Sequence, residues 1–433
     1  MSARRPISPL KVATASLVGT AIEWYDYFVY GTAAALVLGP LFFPKFSDTA
    51  ATLAAFATYS VGFLARPLGA VVMGHFGDRV GRKSMLVTSL LLTGVATIAI
   101  GLLPTYRSIG VLAPILLVAL RFIQGIGVGG EWGGAVLMAV EHAPPRLRGF
   151  YGSFPQMGVP SGLLLANLAF LGMSSVGTNE TFLAWGWRVP FLASAVLVIV
   201  GLVIRLSLTE TPEFEKVRAT NSAVRMPILT VLRDHPGQVL LAAGTFVGNN
   251  TVGYIFMAYL LSYATSVLHI ERTLMLGLTM FGAVPWLISI PWASALSDRY
   301  GRRRVLVWGS VALSAWTLVL FPLVDTASPL FILVALLGAG TLLGITCGPL
   351  AALFAELFDA RVRYSGASLA YQIGAVLGGG IAPTLATTLY ARWQSSVPVT
   401  LYLFLVSLVS LFSLVLATQR AVILPTVRAA EGT

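Results

Sequence analysis

Gly74-His75-Phe76-Gly77-Asp78-Arg79-Val80-Gly81-Arg82-Lys83 returns 220 residues later as Ser294-Ala295-Leu296-Ser297-Asp298-Arg299-Tyr300-Gly301-Arg302-Arg303. Each phrase is wedged between two long apolar runs, so each reads as a tight basic hinge between membrane helices. A second phrase repeats in the same order: Glu141, Arg146 and Arg148 are matched by Glu356, Arg361 and Arg363, and Gln156 and Gly158 by Gln372 and Gly374. Two independent phrases at nearly one offset imply a chain built from two equivalent halves. That is the layout of a protein that rocks one half against the other around a central site.

Composition agrees. The chain is 57% hydrophobic and only 10% charged, with a mean hydropathy of +0.84, whereas soluble domains run at roughly 25% charged. Apolar runs long enough to cross a bilayer, about 20 residues each, fall at 12–40, 52–74, 85–104, 110–140, 150–175 and 187–207. The second half supplies 236–266, 273–296, 305–324, 329–355, 364–390 and 397–419. The expectation is an all-α integral membrane protein of twelve helices in two six-helix bundles, 1–207 and 236–433. The polar, Pro-punctuated stretch 208–235 reads as the linker between them. No room remains for a soluble catalytic domain.

The net charge of +11 does not point to nucleic acid, because its placement follows the membrane. Lys11, Arg79, Arg82, Lys83, Arg146, Arg148, Lys216, Arg218, Arg299, Arg302 and Arg363 gather at one set of helix ends. By the positive-inside rule both termini and the linker are expected in the cytoplasm, in a cell inner membrane. Cys347 is alone, so no disulfide framework is expected, and the four histidines lack metal-site spacing. No metal and no cofactor other than a coupling proton is expected. The first apolar run is too long for a signal peptide and carries Glu23 and Asp26. Gly125-Ile126-Gly127-Val128-Gly129-Gly130 fits a dinucleotide fingerprint but lies mid-span without a preceding strand, so close helix approach explains it better. Asn179-Glu180-Thr181 has the form of a glycosylation sequon.

Charges inside apolar spans are the most informative residues, since each costs at least roughly 2.5–3.5 kcal/mol at the bilayer centre. Glu23 and Asp26 share a face of the first span with Tyr27 and Tyr30 nearby, Arg66 lies in the second, and Arg121, Gln124 and Glu131 lie in the fourth. Three acids against two arginines leave one carboxylate without a cation. A buried carboxyl in that position favours its protonated form, the requirement for proton coupling, so Glu23, Asp26 and Glu131 are the candidate coupling groups. Arg66, Arg121, Gln124, Tyr27, Tyr30 and Trp132 are the first half's candidate substrate ligands. The second half offers Asn249, Asn250, Tyr254, Tyr371 and Gln372. Asp78, Arg79, Arg82, Asp298 and Arg299 are expected to gate. Asp26 is expected to pair with Arg121 until protonated.

On these residues the chain resembles the major facilitator superfamily, with 74–83 as its loop signature and 294–303 as a degenerate copy. Glu23-Trp24-Tyr25-Asp26, Arg66-Pro67-Leu68-Gly69, Gly129-Gly130-Glu131 and Glu210-Thr211-Pro212-Glu213-Phe214 resemble the metabolite:proton symporters. Gly31-Thr32-Ala33-Ala34-Ala35 and Glu131-Trp132-Gly133-Gly134 are most similar to the shikimate-transporter branch. The resemblance implies proton-driven import of a small organic acid by a monomer in the lipid bilayer, not an enzyme. Two alternatives are a proline/betaine-type zwitterion symporter, whose extended C-terminal coiled coil has no counterpart here, and a proton-coupled exporter. The exporters' Gly-Pro signature is poorly matched by Gly158-Val159-Pro160-Ser161-Gly162.

Overall fold

The computed structural model describes residues 8–80, 82–176, 178–207, 231, 233–234, 236–358 and 363–430. The expected linker therefore lies almost wholly outside the described residues. Among those described there is no β-strand; in hydrocarbon only a helix satisfies its own backbone within one segment.

Twelve long helical units follow in chain order. The first six are α1 (Pro9–Leu36), α2 (Asp48–Val80), α3 (Arg82–Leu102), α4 (Leu112–Gly129 continuing as Glu131–Glu141), α5 (Arg148–Ser175) and α6 (Arg188–Ser207). Then come α7 (Pro236–Tyr254, a wide turn at Ile255–Tyr259, and Leu260–Ser266), α8 (Arg272–Tyr300) and α9 (Arg302–Val324). Last are α10 (Pro329–Cys347 and Leu350–Leu357), α11 (Arg363–Ala375, a wide turn at Val376–Gly380, and Ala382–Trp393) and α12 (Val397–Ala430). Eleven are long and apolar enough to cross a membrane. The twelfth is α1, where Glu23, Asp26 and a run of Trp and Tyr lower the hydropathy of a helix otherwise long enough to span.

The packing repeats with a step of six helices. α1 packs on α5 and α6 as α7 packs on α11 and α12; α2 packs on α4 as α8 does on α10; α3 packs on α6 as α9 does on α12. The halves meet through α5 against α8 and α2 against α11, again an equivalent pair. The glycine run in α4 serves close approach, as its sequence suggests. A Cβ on Gly125 would collide with the carbonyl of Gly62, and one on Gly129 with the carbonyl of Arg66. That contact brings the backbones of α2 and α4 together, and Arg66 and Arg121 both reach the ring of Tyr27.

The second basic loop turns at Gly301, whose φ of 92° is open to glycine and strained for other residues. Its first-half counterpart, Gly81, lies outside the described residues.

Candidate functional site

Arg66 of α2 and Arg121 of α4 occupy the core of the first half, both fully buried. Neither is ion-paired to a described carboxylate. Aromatic rings surround them instead. The Arg66 guanidinium lies 4.2 Å from the ring centre of Tyr27, 4.3 Å from Phe63 and 5.5 Å from Trp24. That of Arg121 lies 4.2 Å from Tyr27, 4.2 Å from Tyr30 and 4.7 Å from Tyr59. Tyr27 is shared by both. The second half adds Tyr254 of α7, 4.9 Å from Phe63 and edge-on to it.

Ring faces offset part of the cost of burying a guanidinium, about 2 kcal/mol per desolvated contact, but they accept few hydrogen bonds. Arg121 donates to Gln124, which in turn donates to the Asp26 carbonyl at 3.2 Å and to Thr97 at 2.8 Å. The Nε and Nη2 atoms of both arginines remain without a hydrogen-bond partner. By strict geometry so do the hydroxyls of Tyr27, Tyr59 and Tyr254, although that of Tyr27 lies close to Arg121 and that of Tyr254 close to Arg66. Each buried donor left unmade costs about 1–3 kcal/mol. A cluster rich in donors and poor in acceptors is shaped for an anion carrying several oxygens.

Asp26 is not paired with Arg121, contrary to the expectation from sequence. Its Oδ1 accepts from Ser194 of α6, and its Oδ2 has no partner. The tally of three acids against two arginines is also corrected. Arg205, at the end of α6, is buried and forms an ion pair with Glu131, so among the described residues the first half holds three buried acids and three buried arginines. Arg205 is legible in the sequence as a basic residue within the apolar run 187–207, close to its end, and is missing from the expected set of buried charges. Glu23 is buried too, within range of the Arg205 charge.

The other second-half candidates divide. Tyr371 of α11 stacks flat on Trp132, with ring centres 3.9 Å apart and planes at 10°. Gln372 donates to the Gly129 carbonyl at 2.9 Å across the halves. Trp132 donates to Gln156 at 2.9 Å, and Gln156 donates to the Cys347 carbonyl at 3.2 Å. This layer is a seam between halves. Asn250 bonds the Ala375 carbonyl at 3.2 Å and joins α7 to α11. Asn249 bonds Thr346 at 2.6 Å and the Leu343 carbonyl at 3.2 Å. It lines a small cavity walled by both hydroxyl and leucine side chains, among them Thr245, Ser310, Leu306 and Leu313, that shares no lining residue with the arginine cluster. Tyr30 bonds Thr58 and faces Arg121.

At the basic end, Asp298 accepts from the backbone amides of Gly149 and Phe150, at 2.9 and 2.8 Å, capping the N-terminus of α5 in the other half. A carboxylate there meets free amides and the positive end of the helix dipole. Arg302 pairs with Asp298 at 2.6 Å and with Glu356 at 3.3 Å. Arg299 is exposed, over the ring of its neighbour Tyr300, so Arg302 takes the position expected for it. The missed signal is the repeat itself, since Arg302 is the counterpart of Arg82. The side chains of Asp78, Arg79 and Arg82 lie outside the described residues. At the opposite end Ser60 donates to the Gly380 carbonyl, and Asp325 accepts from Tyr263 at 2.8 Å and from Ser396.

Comparison with known proteins agrees with this architecture. Residues 16–383 match the family model described as Major Facilitator Superfamily. The inner membrane metabolite transport protein YhjE of Escherichia coli (strain K12) is 44% identical over 94% of each chain. The shikimate transporter of the same organism is 40% identical over 95% of each. The proline/betaine transporter of Salmonella typhimurium is 33% identical, covering 93% of this chain and 82% of its own. Among solved structures, a D-xylose-proton symporter superposes with a TM-score of 0.73 at 18% identity, over 94% of this chain and 97% of that one. With twelve helices in two repeated halves, a buried polar centre and relatives that are all transporters, the chain is a multi-pass membrane transporter, not an enzyme, and belongs to the major facilitator superfamily.

Proposed function

We propose that this transporter imports a small carboxylated metabolite together with a proton, by alternating access of a central site. The observation that carries the reading is the pair of buried arginines, Arg66 and Arg121, with unpartnered donors inside an aromatic cage. A guanidinium fork holds a carboxylate through two parallel hydrogen bonds, and the rings cover an apolar or hydroxylated body. The relative described as a shikimate transporter supports a ring-bearing monocarboxylate, and the neighbour described as a D-xylose-proton symporter supports a proton as coupling ion. The basic helix ends favour a cytoplasmic location for both termini, in an inner membrane, with the monomer as the working unit.

A zwitterion is the second reading, favoured by the relative described as a proline/betaine transporter. Its cationic end would have to enter beside two guanidinium groups with no described carboxylate paired to either, which disfavours it.

The test is uptake into proteoliposomes under an imposed proton gradient, with labelled shikimate, citrate, 2-oxoglutarate, benzoate, proline and betaine. Accumulation of an organic acid, abolished by a protonophore, is expected. Accumulation of betaine alone, or uptake sustained by a sodium gradient after the protonophore, would overturn the reading.

A further inference from the structure

Arg205 reaches from α6 into a pocket made by three other helices of the first half. Its guanidinium pairs with Glu131 of α4 and donates to the Leu86 carbonyl of α3. It also lies against α1: a Cβ built on Gly19 would sit 3.5 Å from its Nε and Nη2. Glu23 stands one turn further along that helix, near enough for the charges of Arg205 and Arg66 both to act on it. Two buried carboxylates thus draw on Arg205, which among the described residues is ion-paired to Glu131 alone, while Glu23 also feels the more distant Arg66. When Arg66 is engaged elsewhere the cluster is left with a net negative charge, which is costly to bury and which a proton removes.

The hydrogen bonds around Glu131 point the same way. Ser89 Oγ is 2.5 Å from the Gly127 carbonyl and 3.1 Å from Glu131 Oε2. A hydroxyl has one proton, so it can donate to only one of these two acceptors. If Glu131 carries a proton on Oε2, that proton goes to Ser89 Oγ and the hydroxyl proton goes to Gly127. Every group is then satisfied, with Oε1 still facing Arg205.

We propose that Glu131, Glu23, Ser89 and Arg205 form the binding site of the transported proton, with Arg205 as its counter-ion. This site is separate from the arginine cage that takes the substrate, and the proposal rests on the reading of the chain as a proton-coupled transporter. The charged and titratable groups facing Glu23 are Arg205 of α6, Arg66 of α2, Asp26 on its own helix and Tyr371 of α11. Residues 84–102 of α3 and 154–175 of α5 carry no ionisable side chain. Glu23 links the two sites. An anion bound to Arg66 takes up the cation that Glu23 would otherwise feel, which favours a proton in the Glu23–Glu131 pair. Substrate and proton then bind together.

The test is pH-difference infrared spectroscopy of the purified full chain in lipid, reading the carbonyl band of a protonated carboxyl, alongside shikimate uptake. Beside the bands of the exposed acids, the wild type should show one titrating carboxyl band that belongs to the buried cluster and is identified by its loss in the variants. Glu131→Gln and Glu23→Gln should each abolish the titration, because the remaining carboxylate has Arg205 to itself. Arg205→Gln should leave a carboxyl band that no longer responds to pH. Arg205→Lys should preserve titration, and Asp26→Asn, which removes a neighbouring like charge, should displace this band but retain it. Ser89→Ala, a smaller perturbation, should displace the titration even if the charge variants fold poorly. A band that survives Glu131→Gln and Glu23→Gln, or that vanishes in Asp26→Asn, would overturn the proposal. If wild-type shikimate uptake follows the proton gradient and Arg205→Gln still accumulates it, the proposal falls while the transport reading stands. If the band behaves as expected but no gradient-driven uptake of any acid is found, the transport reading falls instead.

Discussion

Asp298→Asn isolates the latch that holds the two halves together at the basic end. In the structure its two oxygens accept the amides of Gly149 and Phe150 at 2.9 and 2.8 Å. Asparagine keeps one acceptor oxygen and turns an NH2 toward the second amide. One hydrogen bond to a charged group is lost, worth about 1.5–3 kcal/mol, and the favourable placement of an anion at a helix N-terminus goes with it, about 0.3–1 kcal/mol. Arg302 retains Glu356, which limits the damage. The closed arrangement of this end should lose about 2 kcal/mol, a shift of about thirtyfold toward opening. The chain carries its own reporter: Cys347, its single cysteine, is buried where α10 meets Gln156 of α5. N-ethylmaleimide should alkylate Cys347 about ten- to thirtyfold faster in Asp298→Asn, if reaction follows the open population. Asp325→Asn, at the opposite end, should leave the rate unchanged. Equal rates in wild type and Asp298→Asn, with both proteins folded, would refute the latch. So would an equal acceleration by Asp325→Asn, because the effect would then be general loosening.

Arg121→Lys keeps the charge but loses the planar fork, so it should weaken binding of the transported acid about ten- to a hundredfold, read by isothermal titration, with little change in melting temperature. Asn249→Ala removes a bridge between α7 and α10; thermal denaturation should show a loss of about 1–3 kcal/mol, while substrate affinity stays within about twofold. Asp78→Asn, the first-half counterpart of Asp298→Asn, should slow turnover in an exchange assay and leave affinity within a few-fold. Gly125→Leu forces a side chain against the Gly62 carbonyl and should prevent α2 and α4 from packing, seen as loss of monodisperse protein on size exclusion.

The sequence by itself determined the element type, because length and apolarity dictate helices in a solvent that cannot hydrogen-bond a backbone. It also determined the two-half organisation, since the repeats of 74–83 and of Glu141, Arg146 and Arg148 survive as linear text. It singled out Arg66, Arg121, Glu23, Asp26 and Glu131 too, because a charge in an apolar run is visible without coordinates. Partner choice was not legible. Asp26 and Arg121 read as a pair, yet Asp26 turns to Ser194 while Arg121 turns to Gln124 and three tyrosines. Only helix rotation and crossing decide which faces meet. Arg205 was hidden for a related reason: proximity to a helix end does not reveal whether a long side chain reaches outward or back into the bundle. Tertiary packing sent it inward to Glu131. It likewise made Asn249 a strut and Tyr254 a wall of the cage, though the two stand five residues apart on one helix, because the faces they present look toward different neighbours.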